Sequence, residues 1–402
     1  VKRASVLVLA VALLLPTAGA ALADSPDALP GVTQQRRDAG GKPAGCLPPS
    51  TKSTALTPWP QTFLRPERAW PLSRGEGVTV AVVGSGVTDG AGLLAGRLDH
   101  APRLQGAGDP AQDCVGHGTF LAGLIAADRR DGTGFAGLAP RARILAVSVT
   151  DEGGTTTPDL LARGITAAAD AGAKVIAVGV ALPSGNDALA ASVRAARAKG
   201  ALVVAPAGPD ATVGTGKLPP AYPAAYPEVL SVRDLTPAGT LPEGTPGGRV
   251  DLTAPGDAVM GPGPAAGGYY TGAGPSFATA FVAATAALTL GYHPTLTPDQ
   301  LTRRLEATAY RTGDPAYGYG TVDPVAAVAA VTRLTAPDPT PPPPTPQALT
   351  LPPPPPEDPA PTHATLIALT SLAVILLTTA AATLTPRART RSYHPGRLPT
   401  DP

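Results

Sequence analysis

Of five histidines in the chain, His117 is the one set in a local arrangement suited to chemistry, the stretch DCVGHGTFLAGLIAA over 113–127. Glycines on both sides let the backbone approach closely, and the apolar run after Thr119 suits a buried helix that holds the imidazole at its start. A histidine satisfied by a core hydrogen bond would look the same, so its meaning depends on a partner. The candidate partner is Ser276, in YYTGAGPSFATAFVAATAAL over 269–288. A serine after a glycine-containing turn, at the head of a buried helix, has its hydroxyl near backbone N–H groups that can bind a developing oxyanion. The chemistry implied is nucleophilic acyl transfer. Taken alone, the same serine reads as an ordinary N-cap. No HExxH, CxxC or Asp-rich calcium loop occurs, so no cofactor or metal is expected.

The elements that must position these two residues lie between Gly77 and about Thr332. Short β-rich runs, VTVAVV at 78–83, ARILAVSV at 142–149, AKVIAVGV at 173–180 and ALVVAPA at 201–207, alternate with alanine-rich segments. The runs are nearly continuous apolar, as strands are when helices cover both faces of a parallel sheet. Asp159 to Ala171 and Ala188 to Lys199 are expected as crossover helices. Ser276 to Leu290 is apolar almost all round and should be buried. Thr297, Pro298 and Gln300 form the start of a capped surface helix through Thr308.

With 31 basic against 30 acidic side chains and charged residues at 15%, the chain has neither the field of a polybasic nucleic-acid binder nor that of an acidic tail protein. Its 50 prolines are unevenly placed, 14 of them in the 26 residues from Ala336 to Pro361. The expected organisation is a signal peptide at 1–23, with Lys2 and Arg3 ahead of VLVLAVALLLP and small residues at its end; an extension at 24–57; an α/β domain at 58–335; an extended proline-rich stalk at 336–363; a membrane-spanning helix at 364–384; and a tail at 385–402. The 21 residues from Ala364 to Leu384 are uncharged, long enough for a hydrocarbon layer of about 30 Å. Arg387, Arg389, Arg391 and Arg397 follow. The positive-inside rule then puts the C-terminus in the cytoplasm and the main domain outside, a single-pass cell-membrane topology. Export makes Cys46 and Cys114 sensible as a disulfide.

HGT followed by an apolar helix, with a GxS turn entering SFATAFVAA about 160 residues later, resembles the subtilisin-like serine proteases. TPWPQTFLRPERAWPLSRGEGVTVAVVGSGV at 57–87, DCVGHGTFLAG at 113–123, GFAGLAPRARILAV at 134–147, VDLTAPG at 250–256, GPSFATAFVAA at 274–284 and YGYGTVDPVAAV at 317–328 resemble, more closely, the mycosins. These are the membrane-anchored subtilases of type VII secretion. The resemblance implies a three-layer α/β/α domain with a mainly parallel sheet, serine endopeptidase chemistry with His117 and Ser276 as catalytic residues, and an N-terminal extension that wraps the domain, consistent with a Cys46–Cys114 bridge.

The same resemblance exposes departures. In the family the first strand ends in Asp-Ser-Gly and that aspartate orients the histidine; here AVVGSGV places Gly84 at the carboxylate position. The family's oxyanion side chain is an asparagine, and here APAGPD places Pro209, which has no side-chain donor, in its stead. Gly179 stands where the family usually has a serine in the substrate cleft. Asp113, four residues before His117, and Asp89, five beyond Gly84, are candidates to supply the carboxylate from a new direction. The resulting expectation is a catalytically impaired or inactive homologue with a structural or regulatory role in a membrane secretion complex. Two alternatives stand beside it: a narrowly specific endopeptidase that processes a secretion partner, and a peptide-binding module that does not cleave. Its partners are expected among membrane secretion-complex proteins or a peptide segment, with no nucleic acid.

Overall fold

Runs of Val, Ile, Leu and Ala, apolar at nearly every position, build one central sheet. In the computed structural model, the described residues are 29–105, 109–210, 219–244, 248–265, 267–332 and 360–390, with side chains described over 366–382 of the last segment. The signal peptide, nearly all of the stalk and most of the tail expected from the sequence lie outside them. The chain divides into two units between Thr335 and Ala336.

The first unit begins with the short helix α1 (Trp59–Leu64) and continues through β1 (Thr79–Gly84), β2 (Leu98–His100), α2 (His117–Ala126), β3 (Arg143–Ser148), α3 (Pro158–Asp170), β4 (Val175–Val178), α4 (Asp187–Ala198), β5 (Leu202–Pro206), β6 (Val229–Leu235) and β7 (Leu252–Pro255). The hairpin strands β8 (Val259–Pro262) and β9 (Tyr269–Gly272) precede α5 (Pro275–Tyr292), α6 (Pro298–Thr308) and α7 (Pro324–Ala329). The seven sheet strands are ordered β2-β3-β1-β4-β5-β6-β7 and every pairing is parallel. Alternation sorts the side chains between two faces. Val80, Val82, Ile144, Ala146, Val175 and Ala177 pack with residues of α2 and α5. Ala81, Val83, Leu145, Val147, Ile176 and Val178 pack with residues of α3 and α4. The result is three layers, helix on sheet on helix, with its loops at the carboxyl ends of the strands.

The helix starts follow their side chains. Asn186, the chain's single asparagine, accepts from Leu189 N and caps α4, while its amide donates to Asp159. Thr297 and Gln300 form the full capping box of α6. The extension is bound into the same unit: Val32 N donates to Thr271 O, Thr271 N to Pro30 O and Tyr269 N to Lys52 O. Cys46 and Cys114 are joined as a disulfide three residues before His117.

The second unit contains α8 (Ala360–Thr390), 31 residues long. Its stretch Leu366–Ala382 is apolar, with Leu366, Ile367, Leu369, Leu372 and Val374 through Leu377 all exposed. Hydroxyls within it turn back on the helix, Thr370 to Leu366 O, Ser371 to Ile367 O and Thr378 to Val374 O, so they need no water. Among the described residues, α5 is the helix long and apolar enough to cross a membrane by length and composition, but it is buried inside the first unit as its core helix, while Leu366–Ala382 of α8 is a shorter apolar stretch.

Candidate active site

Helix α2 starts at His117 because its first turn is capped by one carboxylate. Asp113 accepts from Gly116 N (2.8 Å), Thr119 N (2.8 Å) and the Thr119 hydroxyl (2.7 Å), satisfying donors that a helix start leaves free. Gly116 ahead of it has φ 84°, a left-handed conformation in which glycine is unstrained. Gly118 permits the closest approach of all, since a Cβ there would stand 2.0 Å from Gly86 O. The imidazole packs edge-on against Phe277, with centroids 5.2 Å apart.

Ser276 is the second residue of α5, after Pro275 at a first-turn position that tolerates proline. The two elements bring the pair together: His117 Nε2 lies 2.9 Å from Ser276 Oγ. Both residues are buried, at 1% and 0% exposure.

Neither expected substitute carboxylate reaches the ring. Asp113 is spent on the cap just described. Asp89 accepts from Leu93 N and Leu94 N and stabilises its own turn. A third aspartate, Asp210, occupies the site instead. Its Oδ2 lies 3.0 Å from His117 Nε2 and accepts from Ser276 Oγ at 2.7 Å, while its Oδ1 accepts from Ser276 N at 2.9 Å. It therefore approaches the outer nitrogen of the imidazole, on the serine side. Among the described residues no hydrogen bond reaches the inner nitrogen, Nδ1. Sequence reasoning passed over Asp210, although it directly follows Pro209 in APAGPD. The deciding signal was Gly274, whose φ of 140° and missing Cβ let the carboxylate in: a Cβ there would fall 2.4 Å from Asp210 Oδ1.

The positions that departed from the family lie as follows. Gly84 ends β1 and is buried, yet a Cβ on it would meet no heavy atom of the described residues within 4 Å beyond its chain neighbours. Gly179 follows β4, and its Cβ would stand 3.6 Å from His117 Nδ1. Pro209 sits beyond the end of β5, one residue before the carboxylate that fills the serine's surroundings.

Asp210 also charges its neighbourhood. Burial, together with the charges of Asp210 and Asp257, pushes the Asp234 carboxyl up to about 6. Because the folded state holds this proton more tightly than the unfolded chain, the stability Asp234 contributes is greatest at low pH and falls as pH rises from about 4 to about 6. Asp234→Asn is expected to add roughly 2 kcal/mol at pH 7 and almost nothing at pH 4. Thermal unfolding of the full chain in detergent at the two pH values measures this, and equal gains at both would contradict it.

The profile that defines the subtilase family matches residues 75–321. The chain belongs to the subtilase family. Among curated relatives, this subtilase is 32% identical to mycosin-3 of Mycobacterium tuberculosis over 369 residues, 77% of the present chain and 79% of that protein. Among solved structures it matches MycP1 from Mycobacterium smegmatis with TM-score 0.63 and 27% identity, covering 78% of this chain and 94% of that one. A chain of an intact ESX-5 inner membrane complex matches with TM-score 0.62 and 26% identity, over 90% of this chain and 97% of that one. The expected three-layer fold and the likeness to the mycosins both hold. With α8 as its span, the subtilase is a single-pass membrane protein.

Proposed function

We propose that this subtilase serves as a structural or regulatory subunit of a type VII secretion membrane complex, with a peptidase site that is impaired or silent. One observation carries the reading: the Asp210 carboxylate takes both the Ser276 N–H and the Ser276 hydroxyl. In acyl transfer that N–H serves the oxyanion, and a carboxylate beside it places negative charge where negative charge must develop. Gly84 adds a second obstacle, since it offers no carboxylate to orient His117. In this reading α8 anchors the protein in the membrane and the basic tail lies in the cytoplasm. The solved ESX-5 inner-membrane assemblies that the chain resembles support this setting.

The short His117–Ser276 contact favours a second reading, a narrowly selective endopeptidase acting on a tethered partner, where high effective concentration offsets weak chemistry. A fluorophosphonate probe separates the two. The silent reading expects labelling at least a thousandfold slower than in an active subtilase; comparable labelling, abolished by Ser276→Ala, would overturn it. Co-purification with a secretion complex should survive Ser276→Ala and His117→Ala and be lost when 364–384 is deleted.

A further inference from the structure

Three neighbouring strands finish on one row beneath His117. Gly84 pairs in register with Ser148 on one side, and on the other the Val83–Val178 pair carries the register on to Gly179. Gly84 has the same parity as Val80 and Val82, so its missing side chain would point to the α2 face of the sheet. That space is buried and free of heavy atoms of the described residues for 4 Å around an ideal Cβ, chain neighbours aside. Polar groups lie at the neighbouring strand ends. His117 is 1% exposed, and its Nδ1 lies 3.6 Å from the Cβ direction of Gly179. Ser148 is 2% exposed, and among the described residues its hydroxyl reaches Ser85 O at a long 3.4 Å. Ser85 Oγ accepts from Gly118 N and keeps its own proton to donate.

We propose that the space beside Gly84 is a binding site for a small carboxylate, of the size of acetate or formate. Size and donors both select that class. What glycine lacks relative to aspartate is an acetate-sized group, and Leu121 Cδ1, 2.6 Å from a Cβ on Gly179, closes the site to anything broad. An imidazole nitrogen and two hydroxyls suit a compact planar anion with two oxygens. His117 already directs Nε2 at Asp210, so the anion enters together with one proton on Nδ1. The ring then stands as an imidazolium between two carboxylates, Asp210 and the ligand, and the pair of charges is balanced without a change in the fold. The site is independent of the secretion role proposed above.

The test uses the full chain in detergent with 15N-labelled histidine, titrated with sodium acetate and sodium formate at constant ionic strength against sodium chloride. The ring resonances that vanish in His117→Gln are expected to shift saturably with either carboxylate, and the unfolding temperature to rise along the same curve. Gly84→Asp, which tethers a carboxylate in the same place, should weaken the response tenfold or more, and Gly84→Val should do so by filling the space. An equal response to chloride, no response to either carboxylate, or a response that persists in both Gly84 variants overturns the proposal.

Discussion

The double variant Gly84→Asp/Asp210→Asn is expected to acylate at Ser276 at least about a thousandfold faster than the natural chain when challenged with a fluorophosphonate. Two independent effects combine. Asp210 accepts the Ser276 N–H and sits 2.7 Å from Ser276 Oγ, so an oxyanion competing for the same N–H would lie on the order of 3 Å from a carboxylate. At an effective dielectric of about 20, like charges at that separation repel by roughly 5 kcal/mol, which by itself outweighs the contribution of a good oxyanion donor. Replacing the carboxylate by an amide removes the charge and supplies an N–H. At the other end of the ring, loss of the orienting carboxylate in serine proteases costs about ten thousandfold, and a Cβ added at Gly84 meets no heavy atom of the described residues within 4 Å beyond its chain neighbours, so the position is open to a side chain. Neither change suffices alone: Gly84→Asp leaves the serine's donor occupied, and Asp210→Asn leaves Nδ1 without its carboxylate. Each single variant should therefore gain less than a hundredfold, with the excess in the double variant measuring their coupling. A double variant no faster than the natural chain would show that something other than these two residues silences the site.

Much of this arrangement was legible because it rests on local pattern. The strand cores of β1, β3, β4 and β5 are runs of β-branched and small apolar residues, and the observed bounds fall within two residues of the expected ones. His117 and Ser276 were recognisable because each opens a helix behind glycine, and helix starts announce themselves through caps and turn residues. Asp210 was not legible, because nothing in its own neighbourhood in the chain says where its side chain goes. Its position is decided 64 residues away, where Gly274 has no Cβ to exclude it and Ser276 offers two donors. Asp113 misled for the converse reason. Four residues before His117 looks like reach, but a carboxylate three residues before one backbone N–H and six before another is a cap, and a helix start takes an available acceptor first.

That role for Asp113 gives the largest expected loss of stability. Asp113→Ala removes an acceptor, 2% exposed, that holds two backbone N–H groups and one hydroxyl. The first turn of α2 is itself buried, so water does not replace the lost bonds. A helix cap alone is worth about 1 kcal/mol, and stranded buried donors about 1 to 3 kcal/mol each. Allowing for relaxation, the expected loss is about 4 kcal/mol, or roughly 10 °C in unfolding temperature for a unit of this size. Asp89→Ala, whose carboxylate caps a half-exposed turn, should lose only about 1 kcal/mol. The comparison also separates capping from catalysis. Were Asp113 the carboxylate that serves His117, placing Asp113→Asn in the Gly84→Asp/Asp210→Asn background would leave probe reactivity intact, since residue 84 would already supply the charge, and would leave the unfolding temperature nearly unchanged. As a cap, Asp113→Asn retains one good acceptor in place of two, so the unfolding temperature should drop by several degrees. The reactivity should drop with it, because the turn that Asp113 fixes is the turn that carries His117.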